Sequence, residues 1–180
     1  KRSLANNPSV TTALAALFNA RFDPALSAKK RTSEVERLKA DIEVGLEAIQ
    51  SQDDDRILRL FYSVICATLR TNVFMDGNSA PNTLAFKIRS SQVLEMPQPA
   101  PFAEIFVFGP DVEGVHLRGG PVARGGLRWT DRPEDFRTEI LGLLKAQIVK
   151  NSVIVPVGAK GGFLPRKLPE AGTREEVFEA

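Results

Sequence analysis

Three glycine clusters, each with a cation, lie within residues 118–163: Arg118-Gly119-Gly120, Arg124-Gly125-Gly126 and Gly158-Ala159-Lys160-Gly161-Gly162. Glycine pairs mark places where the backbone turns sharply or comes close to another group. Arg124, Arg128, Lys150 and Lys160 therefore fall at the ends of expected elements and not along a solvated helix face. That is where a pocket for an anionic small molecule would put its charges. Lys160 is the sharpest signal. It follows an apolar run, and its glycines let the backbone take a tight turn with the ammonium in a cleft. A partly buried lysine among other cations gives up a proton more readily, which suits acid–base or carbonyl chemistry near neutral pH. An ordinary lysine in a glycine turn fits the same letters.

Other chemistries fit less well. Lys160 is not followed by Ser or Thr and Gly158 stands too close to it for a P-loop. No G-x-G-x-x-G dinucleotide fingerprint occurs in the chain. Two Arg-Gly-Gly units embedded among strand residues make a poor RNA-binding segment. Asp53-Asp54-Asp55 reads as the charged start of a helix, since no further ligands are spaced nearby for a metal. His116, the only histidine, lacks a neighbouring acid or nucleophile to complete a relay and reads as structural. Lys145 and Lys150, five residues apart, point about 140° away from each other on an ideal helix. They cannot both face one pocket from its middle, and Lys150 alone reads as a C-terminal helix charge.

The elements that must hold these residues follow from periodicity. A cap-like Asn7-Pro8-Ser9 opens a helix over residues 10–18 that ends before Asp23-Pro24. A second helix starts at Thr32 or Ser33, where Ser33-Glu34-Val35-Glu36 has capping-box spacing, and buries Val35, Leu38, Ile42, Leu46 and Ile49. A third runs from Arg56 to about Thr71 with Ile57, Leu58, Leu60, Phe61, Val64, Ile65 and Leu69 as apolar positions. After the turn signal Asp76-Gly77-Asn78 come short strands at residues 83–88, 103–108 and 112–118. Thr130-Asp131-Arg132-Pro133-Glu134-Asp135 opens a long helix with Phe136, Ile140, Leu141, Leu144 and Ile148 toward the core. The strand Val153-Ile154-Val155-Pro156-Val157 then leads into a glycine-lysine loop. The expected fold is α/β: a helical segment over residues 1–75, packed on a mixed-sheet domain over residues 76–180.

The 180 residues, 43% hydrophobic and 26% charged, are ordinary for a globular domain. A net charge of +2 argues for no nucleic-acid partner by itself. The lone Cys66 reads as a core thiol and fits a reducing compartment. No apolar run approaches the roughly 20 residues of a membrane span, and the N-terminus lacks a signal-peptide layout. A soluble, cytoplasmic protein is expected. The chain opens on Lys1 and closes on what reads as a helix cut short, the pattern of a piece excised from a longer protein.

The chain closely resembles a known family. The segments Val112-Glu113-Gly114-Val115-His116-Leu117-Arg118-Gly119-Gly120, Val122-Ala123-Arg124-Gly125-Gly126-Leu127-Arg128-Trp129, Lys145-Ala146-Gln147-Ile148-Val149-Lys150-Asn151 and Val155-Pro156-Val157-Gly158-Ala159-Lys160-Gly161-Gly162-Phe163 look like the catalytic region of the large bacterial NAD-dependent glutamate dehydrogenases. Phe18-Asn19-Ala20-Arg21-Phe22-Asp23-Pro24 and Ala67-Thr68-Leu69-Arg70-Thr71-Asn72 extend the likeness toward the N-terminus. The resemblance implies oxidative deamination of L-glutamate to 2-oxoglutarate and ammonia, with hydride passing to NAD. It implies that Lys160 activates water and polarises the reacting centre, that Lys150 holds the α-carboxylate with Gln147 nearby, and that Arg124 grips the side-chain carboxylate. Arg124 stands where smaller glutamate dehydrogenases have a lysine. Arg128, with Gly125 and Gly126, belongs to the glycine-glycine-x-arginine segment and would support the pocket. The nucleotide-binding domain and the catalytic aspartate would lie C-terminal to this chain, NAD would be bound mainly there, and the full-length enzyme would be a homo-oligomer. A dehydrogenase for another amino acid and a non-catalytic anion-binding module are the alternatives.

Overall fold

A computed structural model describes residues 1–75, 81–168 and 173–179. The turn signal Asp76-Gly77-Asn78 lies outside the described residues. The chain forms two compact units, one of residues 1–70 with 92–96, the other of residues 71–91 with 97–180.

The first unit is built from four helices: α1 (Arg2–Asn6), α2 (Pro8–Phe22), α3 (Ala28–Glu47) and α4 (Gln52–Ala67). The apolar positions that recur at helical spacing meet in one core, where Leu17, Ile42 and Leu58 are fully buried beside Leu14, Leu38 and Leu46. Burying each such side chain contributes about 1.5–3 kcal/mol. The Arg31 guanidinium donates to the carbonyls of Ala20, Arg21, Asp23 and Leu26 at 2.7–3.1 Å, which satisfies the open C-terminal end of α2 and fixes the turn into α3. That turn is why α3 begins at Ala28 and not at Ser33. The capping-box letters sit inside the helix, where Ser33 Oγ donates back to the Lys30 carbonyl at 3.1 Å. The three aspartates occupy the first turn of α4, capped by Ser51, as the charge pattern implies. Cys66 is half-buried on α4 against the same core. Helix α4 stops at Ala67, four residues short of expectation. Thr68 Oγ1 bonds back to the Val64 carbonyl at 2.7 Å, and the β-branched Thr68 and Thr71 pass into strand β1 (Thr68–Thr71).

The second unit is a mixed sheet with one helix on its face. Strands β2 (Leu84–Ile88), β3 (Ala103–Phe108), β4 (Val112–Arg118) and β7 (Val157–Pro165) run antiparallel in that order. Two short strands, β5 (Ala123–Arg124) and β6 (Leu127–Trp129), lie parallel to β7 along its other side. Helix α5 (Phe136–Lys150) buries Phe136, Ile140, Leu141 and Leu144 against Val115 and Leu117. Its first helical residue comes six positions after Thr130, because the segment between folds as a turn and Asp135 takes the cap position. Glu104, 6% exposed, is paired through both oxygens with Arg137 of α5 at 2.6 and 2.9 Å, so this buried carboxylate is neutralised. A final helix α6 (Arg174–Glu179) ends the described chain.

One expectation is corrected. Residues 153–155 are no strand: Val153 is 90% and Val155 78% exposed in a run of turns and bends. The glycine-lysine segment expected to be a loop is the strand, from Val157 to Pro165.

Candidate functional site

The reason lies in what surrounds β7. A Cβ on Gly158 would sit 2.7 Å from Gln147 Cγ, and one on Gly162 would sit 2.5 Å from Ile140 Cδ1. The glycines are there so that α5 can lie directly on the strand. Side chains alternate along a strand, so Lys160, between these two glycines, shares the helix-covered side. Its neighbour across β4 is the fully buried Leu117. Lys160 is half-buried at the centre of the nine-residue strand, not at a turn.

The edge strand supplies the flanking residues. Arg124 stands opposite Gly158, and Arg128 opposite Gly162, with the same offset on both sides of the break at Gly125-Gly126. Gly126 therefore stands beside Lys160. Between the two arginines the strand crosses over Gly125, where an added Cβ would fall 1.5 Å from the Ala159 carbonyl oxygen. At Gly126 a Cβ would meet no atom within 4 Å. The backbone beside Lys160 is thus bare and open, with a guanidinium about 7 Å along the strand in either direction, at two residues of 3.3 Å each.

The two arginines differ in state. Arg128 Nε forms an ion pair with Glu139 Oε1 at 2.7 Å, on the first turn of α5. Arg124 is exposed, and no ion pair among the described residues takes in Arg124, Lys150 or Lys160. Lys150 is the last residue of α5, exposed at the end where Gln147 packs over Gly158. Gln147 Nε2 donates to Asn151 Oδ1 at 3.2 Å, which leaves the Gln147 oxygen as the free polar atom of that amide. Gln147, Lys160, Arg124, Gly125 and Gly126 thus meet around the first half of β7, with Lys150 one helical turn past Gln147. Arg128 closes the far end with its charge already balanced.

His116 points to the opposite side of the sheet, next to Leu127 and above Gly161. Burial, and then the charge of Arg118, hold its imidazole below the ordinary histidine range. Nothing joins it to Lys160. Among the described residues no group of three metal-ligating side chains forms, and no helix is long and apolar enough to cross a membrane. Glu139 and Asn151 were not legible as site residues, because each is defined by a contact with another element and not by a local pattern.

Comparison with known proteins gives the family. Residues 41–180 match the family described as "Bacterial NAD-glutamate dehydrogenase, catalytic domain". The NAD-specific glutamate dehydrogenase of Pseudomonas aeruginosa is 54% identical over 91% of the chain, that of Halomonas elongata 51% over 96%, and that of Mycobacterium tuberculosis 50% over 92%. The chain spans 10–11% of the length of these relatives. A matched segment that runs through the whole glycine-lysine sheet, together with half of all positions identical in three such relatives, leads to one conclusion: the chain belongs to the family of the bacterial NAD-glutamate dehydrogenase catalytic domain.

Proposed function

We propose that this chain is the substrate-binding part of an NAD-dependent glutamate dehydrogenase that oxidatively deaminates L-glutamate to 2-oxoglutarate and ammonia. The observation that carries the reading is the set of unpaired cations around the bare edge beside Lys160. A five-carbon dicarboxylate needs a cation at each end and a proton-handling group at the α-carbon. In this reading Lys150, with Gln147, binds the α-carboxylate and Arg124 the side-chain carboxylate. A guanidinium serves that second role well because it meets a carboxylate through two parallel hydrogen bonds. Lys160 activates water and polarises the reacting carbon, and the apolar cover of α5 over β7 keeps bulk water from that side. Gly125 and Gly126 keep the edge close and free of side chains.

NAD would supply the acceptor for the hydride leaving the α-carbon. The described residues do not fit its pyrophosphate: α5 follows β6 through Thr130–Asp135 with no glycine turn, and its start carries Asp135 and Glu139. The reading therefore assigns NAD to other parts of the longer polypeptide, which would also carry the catalytic aspartate. Residues 1–75 would form a helical segment and residues 76–180 the substrate-binding domain. Work as a cytoplasmic homo-oligomer is part of the same proposal.

The test is glutamate-dependent NAD reduction by the parent polypeptide and its Lys160→Ala variant, with L-glutamate binding followed in parallel. The expected result is loss of turnover by roughly three orders of magnitude or more, as for removal of a proton-handling group, with binding retained. Near-parental turnover in the variant removes Lys160 from the chemistry. A parent that ignores glutamate but oxidises an apolar amino acid moves the assignment to another substrate.

A further inference from the structure

Among the described residues Glu139 is the one carboxylate ion-paired with a cation of the edge strand, and it sits on the helix that covers Lys160. Its Oε1 is ion-paired with Arg128 Nε at 2.7 Å and its Oε2 accepts from Thr130 Oγ1 at 2.8 Å. Thr130, 3% exposed, receives the Arg132 amide on that hydroxyl at 3.2 Å and gives its own amide to the Phe163 carbonyl of β7 at 3.0 Å. The Glu139 side chain is 14% exposed while that of Arg128 is 59% exposed. A nearly buried carboxylate with both oxygens engaged is held in a fixed geometry. Among the described residues this is the one ion pair that Arg128 makes.

We infer that Glu139 is a positioning residue for the glutamate reaction, which ties the edge strand to α5 and balances Arg128 so that Arg124 is the only unpaired guanidinium beside Lys160. The inference rests on the reading above. Two arginines flank the bare position at Gly126, each about two residues away along the strand. If both were unpaired, either could take a substrate carboxylate, and the substrate could bind in two senses. One of them would place the wrong carbon at Lys160. Pairing Arg128 removes the second sense. The same bond pins β6 to the helix that carries Gln147 and Lys150, so the distance between the two carboxylate anchors is set through Glu139.

The test uses the parent enzyme with Glu139→Gln, Glu139→Asp and the double variant Arg128→Gln/Glu139→Gln, and Glu104→Gln as a control for loss of a carboxylate under the same helix. Inorganic sulfate is the anion probe. In Glu139→Gln the KM for L-glutamate rises about tenfold, the size of one charge-assisted contact, while kcat and the KM for NAD change little. Sulfate becomes a stronger competitive inhibitor against glutamate, because the freed Arg128 binds it. The double variant loses that extra sulfate sensitivity, and Glu139→Asp recovers part of the KM. Glu104→Gln lowers stability without changing the sulfate response. The inference is overturned if Glu139→Gln keeps the parental KM and sulfate response, or if its only effect is the stability loss seen for Glu104→Gln. A parent without glutamate turnover refutes the functional reading, and this inference falls with it. An active parent with an unresponsive variant refutes the inference alone.

Discussion

Gly125 and Gly126 are adjacent and identical in the sequence, and substituting them with alanine should have opposite consequences. At Gly125 the new methyl would lie 1.5 Å from the Ala159 carbonyl oxygen and 2.4 Å from its carbon. Backbone atoms do not yield as side chains do, so the edge strand must lift away from β7. Beside the ladders that β5 and β6 form with β7, two hydrogen bonds near Gly125 hold it there, Val157 N to the Val122 carbonyl at 3.0 Å and Gly161 N to the Gly126 carbonyl at 3.1 Å. Losing both costs about 2 kcal/mol and the overpacking about 1–3 more, hence a loss of roughly 3–5 kcal/mol. At Gly126 nothing lies within 4 Å, and stability should stay within about 0.5 kcal/mol of the parent. There the methyl intrudes on the space beside Lys160, and one carbon in a substrate pocket is worth about 1–3 kcal/mol, or 10–200-fold in kcat/KM. Trp129, the only tryptophan, sits on β6 opposite Phe163 and reports directly on this edge. Urea denaturation of the 180-residue chain followed by Trp129 fluorescence gives the stability arm, and glutamate-dependent NAD reduction by the parent polypeptide gives the activity arm. Equal stability loss in both variants refutes the edge-strand geometry. A stable Gly126→Ala with unchanged kcat/KM refutes the location of the substrate.

Two further outcomes can be read with the same fluorescence probe. Burial depresses the His116 pKa below its ordinary value of 6.5. The unfolded chain therefore takes up a proton near pH 6.5 while the folded chain does not. This contribution to stability is complete above about pH 6.5 and is lost as pH falls through the folded value. The urea midpoint of His116→Leu should consequently fall less than that of the unsubstituted chain between pH 7.5 and 5.5, and parallel curves would refute it. Glu104→Ala leaves Arg137 without its carboxylate under α5 and should cost about 2 kcal/mol, less than a fully buried pair because Arg137 reaches solvent. Asp111→Ala breaks an exposed pair with Lys167 in the same unit and should move the midpoint by less than about 0.5 kcal/mol; similar losses in the two variants would refute the ranking.

The helical faces were legible because periodicity reports burial directly. Leu38, Ile42 and Leu46 of α3 and Phe136, Ile140, Leu141 and Leu144 of α5 were all expected inward, and all are buried. On α4 the same rule overreached. Ile57 and Phe61 belong to the apolar stripe yet remain 39% and 44% exposed, since the core of the first unit closes on Leu58 and Ile65 instead. Strands β5 and β6, of two and three residues, are too short to show any period. The cations at 124 and 160 were legible because glycines flank them, whereas Lys150 read alone as a helix-end charge and joined them only through the family resemblance. Which of the edge arginines is balanced was not, since Glu139 lies eleven residues from Arg128 and meets it only when α5 folds over β7.

The misplaced strand is the most instructive of these differences. Val153-Ile154-Val155 has the composition of a strand and is exposed, while Gly158-Ala159-Lys160-Gly161-Gly162 has the composition of a loop and lies in the middle of the sheet. Propensity scales rank glycine low in strands because it offers no side chain to pack. Here that is the requirement. Helix α5 touches the strand at Gly158 and Gly162, and Leu127 closes on Gly161 from the other side, where a Cβ would come within 2.4 Å of it. Every position that the neighbours press against is bare, and Lys160 is the only residue between Val157 and Phe163 with a side chain longer than a methyl. A lysine set in a strand of this kind cannot be displaced by its own neighbours and is gripped by the backbone on both sides. Its Cα is fixed by the sheet, with none of the freedom that a loop would give it. The glycines that hid the strand from a propensity argument are thus what lets the sheet and α5 fix the backbone at Lys160, and a fixed origin for that side chain is what the proposed proton transfer at one carbon of a bound substrate requires.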